Sequence, residues 1–517
     1  MKRVLVVGVN NFPWKDWATV INKDEIDLEC VAVQAFAARI MKKHFDLVCF
    51  FCEGAKVHQL FLQYKNEGAF QKFWQNESIK KVAWSMDTHH QWPIETQYQQ
   101  YFSTYYTAHS NYIDKFEPEK AKWLPCSLFV DSDRLDLIRL LAMKQAKTFD
   151  VVSVYRDYLH IGDRNAAMYE CYEWMQEKGI SVFLGQTNQF KENGQNHYYQ
   201  ALLSAKIVLN LSIMDDLNMR NFEALALNQV MVTNRVPDHA KIDLDYSNTV
   251  FFDRFDQQSF AAAMEEALEK AKNPKQTIDS VINKHMQIHR YVELFNRELG
   301  TQLEVPNLDV AKILAELKAE NAGREKSVFA FSTEQGDIRY DGQEIGVKAV
   351  YSYLQHDQAD KALQAMMHLL SMDTTVLHWE TNANDLFAIL DLCTKKKELG
   401  YRVNFLLAAV LKAVDWMAEK GLSIQGIQFL AKLLLRADMQ FGEITLVLKK
   451  RLQYGLRKSA AQFLQEQKAA AAGECLNAIQ ALDGKMDTEF YLLAAETNRL
   501  LQKPEAALAC YEKAVKG

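Results

Sequence analysis

Proline and glycine are scarce in this chain, at 8 and 20 of 517 residues. Charged residues stand at 24%, with no surplus of the kind that keeps a segment disordered, so the chain reads as folded over most of its length. Basic residues are not in excess. The 60 Lys and Arg face 66 Asp and Glu, for a formal charge of −6. That balance argues against a general nucleic-acid binder and leaves room for a local basic pocket. Long apolar runs are missing too. No stretch reaches about 18 uninterrupted apolar residues, and no membrane span is expected. Met1-Lys2-Arg3-Val4-Leu5-Val6-Val7-Gly8 starts like a secretory leader, but Asn10-Asn11 and Trp14-Lys15-Asp16 follow at once, and a first buried strand is the expectation. The 8 cysteines are scattered and set out no disulfide framework, so the expected compartment is a reducing cytoplasm. Cys49-Phe50-Phe51-Cys52 has redox spacing inside an apolar strand pattern, where inert buried thiols are the reading. No Gly-x-Gly-x-x-Gly is present, against a dinucleotide-dependent dehydrogenase, and no Gly-x-x-x-x-Gly-Lys-Ser/Thr, against a P-loop ATPase.

What is present is alternation. Residues 4–9, 28–34, 45–52 and 81–86 read as buried strands, with helix-like stretches at 35–43 and 56–74 between them. Strand-then-helix spacing of this kind predicts a parallel sheet with helices on its faces. A linking helix follows at 132–147. A second series has strands at 149–155, 180–184, 206–211, 230–233 and 249–252, and helices at 164–178, 197–205, 219–227 and 260–272. Ligands of open α/β units sit beyond the carboxyl ends of the strands, so the natural site is the cleft between two such units. From about residue 327 strand signals nearly vanish, except at 327–340, and amphipathic helices are expected at 363–370, 405–417, 424–435 and 444–452. Tyr491-Leu492-Leu493-Ala494-Ala495, then Ala507, Tyr511 and Ala514, have spacing that resembles a tetratricopeptide repeat, and Lys361-Ala362-Leu363 shows the same second-helix pattern. The expected domains are an α/β unit at 1–130, an α/β unit at 131–300, a linker helix at 301–326 and an α-helical array at 327–517, able to dock a protein.

The most informative stretch runs from Lys206 to Ala226. A strand passes into the polar loop Ser212-Ile213-Met214-Asp215-Asp216-Leu217-Asn218 and then into a helix. Asn218 is the candidate N-cap, which leaves the first-turn amides near Met219, Arg220 and Asn221 as a site for phosphate oxygens. Arg220 would add a bidentate cation. Glu223, one turn on, could accept hydrogen bonds from two ribose hydroxyls. The alternative is an ordinary helix start with a solvent-facing Glu.

Asp215, seven intervening residues and Glu223-Ala224-Leu225-Ala226 resemble the acidic pair of many GT-B glycosyltransferases. The run Asn-Met-Arg-Asn-Phe-Glu-Ala at 218–224, continued to Asp238, is similar to the carboxyl domain of CgeB-like glycosyltransferases, as is residues 151–155 followed by Arg164. The resemblance covers about residues 1–300 and implies two Rossmann-like domains in a GT-B arrangement. It also implies a nucleotide diphosphate sugar as donor, Asp215 near the donor sugar, Glu223 on the ribose, and no obligatory metal or other cofactor. Asp215 stands where Glu is usual, and Asn228 where glycine is usual. Asn tolerates a left-handed backbone, so the turn is expected to persist.

A second candidate group is Asp87-Thr88-His89-His90 at the end of a predicted strand. Asp87, His89 or His90 could take the proton of an acceptor hydroxyl. Alternatives are Asp87 capping the next turn, His90 packing on Trp92, or metal ligation, for which no usual zinc spacing is present. Arg156 and Arg164 are candidates to neutralise the leaving diphosphate, and Asp163 reads as a surface ion-pair partner. Gly8-Val9-Asn10-Asn11 reads as a turn at the cleft edge. The function these readings imply is glycosyl transfer from a nucleotide sugar to a hydroxyl of an acceptor. A protein such as flagellin, docked by the helical array, is the acceptor expected. A nucleotide-sugar epimerase and a helical scaffold with a silent α/β part stay open as alternatives.

Overall fold

The computed structural model describes residues 1–8, 12–40, 42–51, 54–64, 68–128, 133–143, 147–155, 164–186, 195–322, 342–371, 443–481 and 486–516, with positions 385, 388, 389 and 392. The chain divides into two compact units, Met1–Tyr340 and Asp341–Gly517.

The first unit holds two parallel sheets. One contains β1 (Lys2–Val7), β2 (Ile26–Val31), β3 (Leu47–Phe51), β4 (Lys80–Ser85), β5 (Thr104–Thr107) and β6 (Ala121–Trp123), in the order β2-β1-β3-β4-β5-β6. The other contains β7 (Phe149–Tyr155), β8 (Val182–Gln186), β9 (Ala205–Asn210), β10 (Val230–Asn234) and β11 (Thr249–Phe252), in the order β11-β10-β9-β7-β8. Each sheet starts at an interior strand, and the order of winding reverses between its first and third strands. That reversal opens a crevice at the strands' carboxyl ends. Val4 to Val7 and Ile207 to Leu209 are fully buried, as strands covered on both faces must be. Two parallel sheets wrapped by helices fit a two-domain Rossmann-like arrangement. β5 (TYYT) and β6 (AKW) escaped the sequence reading because they are short and carry polar or aromatic residues in place of an aliphatic run. The single helix expected at 56–74 is two, Gly54–Tyr64 and Gly68–Gln75.

A helix missing from the sequence reading, Gln287–Leu299, joins the sheets. It follows the second sheet in the chain yet packs on the first. Its Tyr291 ring lies 4.9 Å from Phe12 and 6.0 Å from Trp84, and Glu298 accepts from the Tyr106 hydroxyl at 2.7 Å. A domain boundary at 300 therefore groups this helix with the sheet that it leaves. Arg134, at the start of the Arg134–Ala142 linking helix, is 1% exposed and bonds Asp16 at 3.1 Å, Thr19 at 3.0 Å and the Pro306 carbonyl at 2.8 Å. One continuous apolar core, from Val4 and Trp84 to Val154 and Leu225, runs through both sheets.

In the second unit the described helices pack in consecutive pairs. These are Gly342–Gln355 with Ala359–Ser371, Glu443–Gln465 with Ala469–Ala481, and Thr488–Leu500 with Pro504–Lys516. Each pair turns through a left-handed residue: Asp357, Gln467 or Gln502, at φ 58 to 59°. The next amide then bonds back five residues, as in Gln358 to Tyr353, Lys468 to Phe463 and Lys503 to Asn498. Ala362, Ala472, Ala495, Ala507 and Ala514 are buried, which lets the paired helices approach closely. The helices expected at 405–417 and 424–435 and the strand signal at 327–340 lie outside the described residues. No helix among the described residues is long and apolar enough to cross a membrane.

Candidate functional site

The second sheet reverses between β7 and β9, and the polar loop 211–218 leaves the end of β9 at that point. Asparagines tie the loop down. Asn210 donates to Thr233 Oγ1 at 3.1 Å, Asn234 accepts from the Ser212 amide at 2.9 Å, and Asn218 donates to Asn210 Oδ1 at 3.1 Å. Met214 and Asp215 take left-handed backbones, φ 50 and 60°, so the loop reverses sharply. Asp215 is exposed and lies 3.8 Å from Arg254. Its neighbour Asp216 is turned inward and accepts from the Ile213 amide at 2.6 Å.

The helix Met219–Ala226 starts as the spacing predicts, but Asn218 does not cap it. Asn218 is extended, φ −77° and ψ 167°, and its side chain makes no capping bond. The Asn210 and Asn221 side chains hold it instead, with Asn221 Nδ2 3.2 Å from Asn218 Oδ1. The first-turn amides at Met219 and Arg220 thus keep the polarity that attracts an anion, beside an exposed Met219 side chain.

Arg220 and Glu223 stand differently from the expected free cation and free carboxylate. Arg220 Nε donates to Glu223 Oε2 at 2.9 Å, its Nη1 donates to the Val154 carbonyl, and its guanidinium lies 5.4 Å from the Tyr198 ring. The Tyr198 hydroxyl donates to the same Glu223 oxygen. The two charged side chains are 12% and 7% exposed. A carboxylate one helical turn after a guanidinium, under a neighbouring helix, satisfies that cation before it meets a ligand. Asn221 also points inward and accepts from His239 Nε2 at 2.9 Å. Asn228 adopts φ 51°, and its side chain accepts from the Thr277 and Ile278 amides at 2.8 and 2.9 Å.

Opposite this loop stand the ends of β4 and β5. Asp87 occupies the position before the Thr88–Tyr98 helix and makes no side-chain cap bond. His90 is half-buried, and burial and then Arg164 push its pKa down to about 4. His89 is buried, with Nδ1 3.0 Å from His109 Nε2, and burial holds it well below the usual imidazole range. His109 Nε2 donates to the Met86 carbonyl at 2.8 Å. Arg164, 6% exposed, lies 5.1 Å from the Tyr155 ring at the end of β7. Its charge reaches His89, His90 and Asp216, and the Asp87 charge also reaches Asp216. Burial is the main cause that raises Asp216 to about 7. Across the same crevice the Ser110 amide donates to Asp238 at 3.1 Å, and the Ser110 hydroxyl donates to Asp238 as well.

The structure therefore brings Asp87, His89, His90, Arg164 and Asp216 together from distant segments. It sets Arg220 and Glu223 into a buried network behind the loop, and Asp215 at its exposed tip. Arg156, Asp163 and residues 9–11 lie outside the described residues, as does Cys52. Sequence reasoning missed His109, Asp216 and Tyr198. His109 lies two residues past β5, a strand of only four residues, and period alone does not tell which of two adjacent carboxylates a left-handed turn aims inward.

Residues 146–296 match a family model described as glycosyl transferase-like. The match spans under a third of the chain and contains the whole second sheet, and it supports a glycosyltransferase family for that region. No curated protein matches the chain. Among solved structures it is similar to a glycosyltransferase from Rickettsia africae, at 10% identity over 58% of this chain and 99% of that one, TM-score 0.39. It is also similar to the catalytic domain of starch synthase IV from Arabidopsis thaliana bound to ADP and acarbose, at 9% identity over 52% and 76%, TM-score 0.36. A third is HepE from Anabaena in complex with UDP and glucose, at 10% identity over 62% and 99%, TM-score 0.35.

Proposed function

We propose that the chain transfers a glycosyl group from a nucleotide diphosphate sugar to a hydroxyl of an acceptor. The observation that carries the reading is the crevice where Asp87 and His90 of one sheet face Arg164 and the Met219–Ala226 helix start of the other. The donor's diphosphate meets the first-turn amides and the Arg164 guanidinium, which stabilise the charge as the leaving group forms. Arg156, the residue directly after the end of β7 in the sequence, is assigned the same diphosphate-neutralising role in this reading. Arg220 and Glu223 act from behind: their pairing fixes the helix start and the end of β7, and because Arg220 and Tyr198 both bond Oε2, Glu223 would meet a ribose through Oε1. Asp87 takes the acceptor proton, with His90 neutral beside it. Asp215, at the exposed tip of the loop's sharp turn, faces the donor sugar in this reading.

We extend the reading to a protein acceptor, flagellin among the candidates, recognised by the helical pairs of the second unit. Repeated helical pairs form an extended surface suited to a protein, which a small acceptor does not need. A panel of UDP-, ADP- and GDP-sugars tests the reading by thermal shift, followed by mass spectrometry of candidate acceptors. One donor is expected to raise the melting temperature and leave a sugar-sized increment on an acceptor. Donor isomerisation with no acceptor product would indicate an epimerase, and no stabilisation by any nucleotide sugar would refute the proposal.

A further inference from the structure

His89, His109 and Asp216 come from the helix after β4, the loop after β5 and the loop after β9, so the trio spans both sheets. They are 4%, 2% and 5% exposed. One ligand-type atom from each lies within 4.8 Å of the others. Three atoms so placed share a point no more than about 2.8 Å from each, and bonds to a zinc-like cation need about 2.0–2.2 Å. Side-chain adjustments of well under 1 Å would close that gap.

The hydrogen bonds around His109 add a second observation. Its Nε2 lies 2.8 Å from the Met86 carbonyl, which only accepts, so Nε2 carries the proton. Its Nδ1 is then an acceptor, and it is buried with no hydrogen-bond partner. The facing His89 Nδ1, 3.0 Å from the same Nε2, presents a lone pair to a proton that the carbonyl already takes. Two imidazole lone pairs and a carboxylate therefore meet at a buried point, and a cation would satisfy all three at once.

We infer that His89, His109 and Asp216 form a binding site for one divalent first-row transition cation that braces the two sheets across their crevice. Two neutral imidazoles and one carboxylate suit zinc, cobalt or iron and leave a position open for water or an anionic oxygen. The site lies in the same crevice as the transfer reading but takes no part in its chemistry: the ion holds the sheets together, and the transfer step proposed above does not pass through it.

The test uses the full chain, stripped with a chelator and dialysed, then titrated with Co2+ or Zn2+ by calorimetry and visible absorption. Wild type is expected to bind one equivalent, to show the cobalt ligand-field spectrum of nitrogen and oxygen ligands, and to melt at a higher temperature when loaded. Asp216→Asn and His109→Ala are expected to weaken binding by at least about tenfold. His44→Ala, at an exposed histidine, keeps the wild-type stoichiometry. Circular dichroism of the chelated variants establishes their fold, and His89→Gln serves as a further ligand variant that retains hydrogen-bonding capacity. No saturable binding by wild type, or wild-type affinity in Asp216→Asn and His109→Ala, would overturn the inference. Because the readout is metal binding, failure of the transfer proposal leaves this result unaffected.

Discussion

Glu223→Ala separates a structural carboxylate from a ligand-binding one. The Glu223 side chain is 7% exposed and that of Arg220 12%, and their 2.9 Å contact is shared with the Tyr198 hydroxyl. Removing the carboxylate strands a guanidinium whose other contacts are the Val154 carbonyl and the Tyr198 ring. Breaking one side of a buried pair costs about 3–5 kcal/mol, and the residual exposure of Arg220 favours the lower end, about 3 kcal/mol. Arg220→Met is expected to cost a similar amount because it strands Glu223. The double variant should cost less than the two singles together, with a coupling of about 1.5–3 kcal/mol. Urea unfolding of the four proteins, followed by tryptophan fluorescence, measures all of these. A Glu223→Ala loss under about 0.5 kcal/mol, or strict additivity in the double variant, would refute the network and return Glu223 to a ligand. If the network holds, a loss of donor affinity in Glu223→Ala reports a displaced helix start, and Tyr198→Phe should reproduce part of it.

Asp87→Asn is expected to lower the transfer rate by about 10²–10⁴-fold with donor affinity unchanged, since the amide cannot take a proton; single-turnover rates beside a donor titration check this, and an unchanged rate removes Asp87 as base. His285 is 5% exposed, donates from Nε2 to the Asp243 carbonyl at 2.7 Å and accepts from Arg290 at 2.7 Å; burial and then Arg290 push it down to about 4. The unfolded chain therefore binds more protons between about pH 6.5 and 4, and stability present above that window is lost as pH falls through it, by on the order of 3 kcal/mol. Melting curves from pH 7 to 4 should show that fall, and His285→Gln should flatten it; an equal slope in the variant would count against the assignment. Deleting about residues 326–517 is expected to spare donor hydrolysis while reducing modification of a protein acceptor, and equal modification by the truncated chain would defeat the docking role.

The sequence alone determined the elements whose signal is local. Aliphatic runs such as Val4–Val7 and Ile207–Leu209 are strands because burial on both faces demands it. The start of the helix at Met219 and the left-handed turn at Asn228 were likewise legible from residue type. Those signals rest on neighbours in the chain, which is why a strand-to-helix period identifies them. Tertiary structure alone decided how charges are spent. It handed Glu223 to Arg220 and Tyr198, turned Asp216 inward in place of Asp215, and laid the Gln287–Leu299 helix on the sheet it does not follow. It also set His109, two residues past a strand of four residues, against His89. Partners such as Tyr198 and Glu223, 25 positions apart, or Tyr106 and Glu298, 192 apart, leave no periodic trace; their meeting follows from how two sheets pack around one core, and a buried charge goes to the nearest group that offsets its lost hydration.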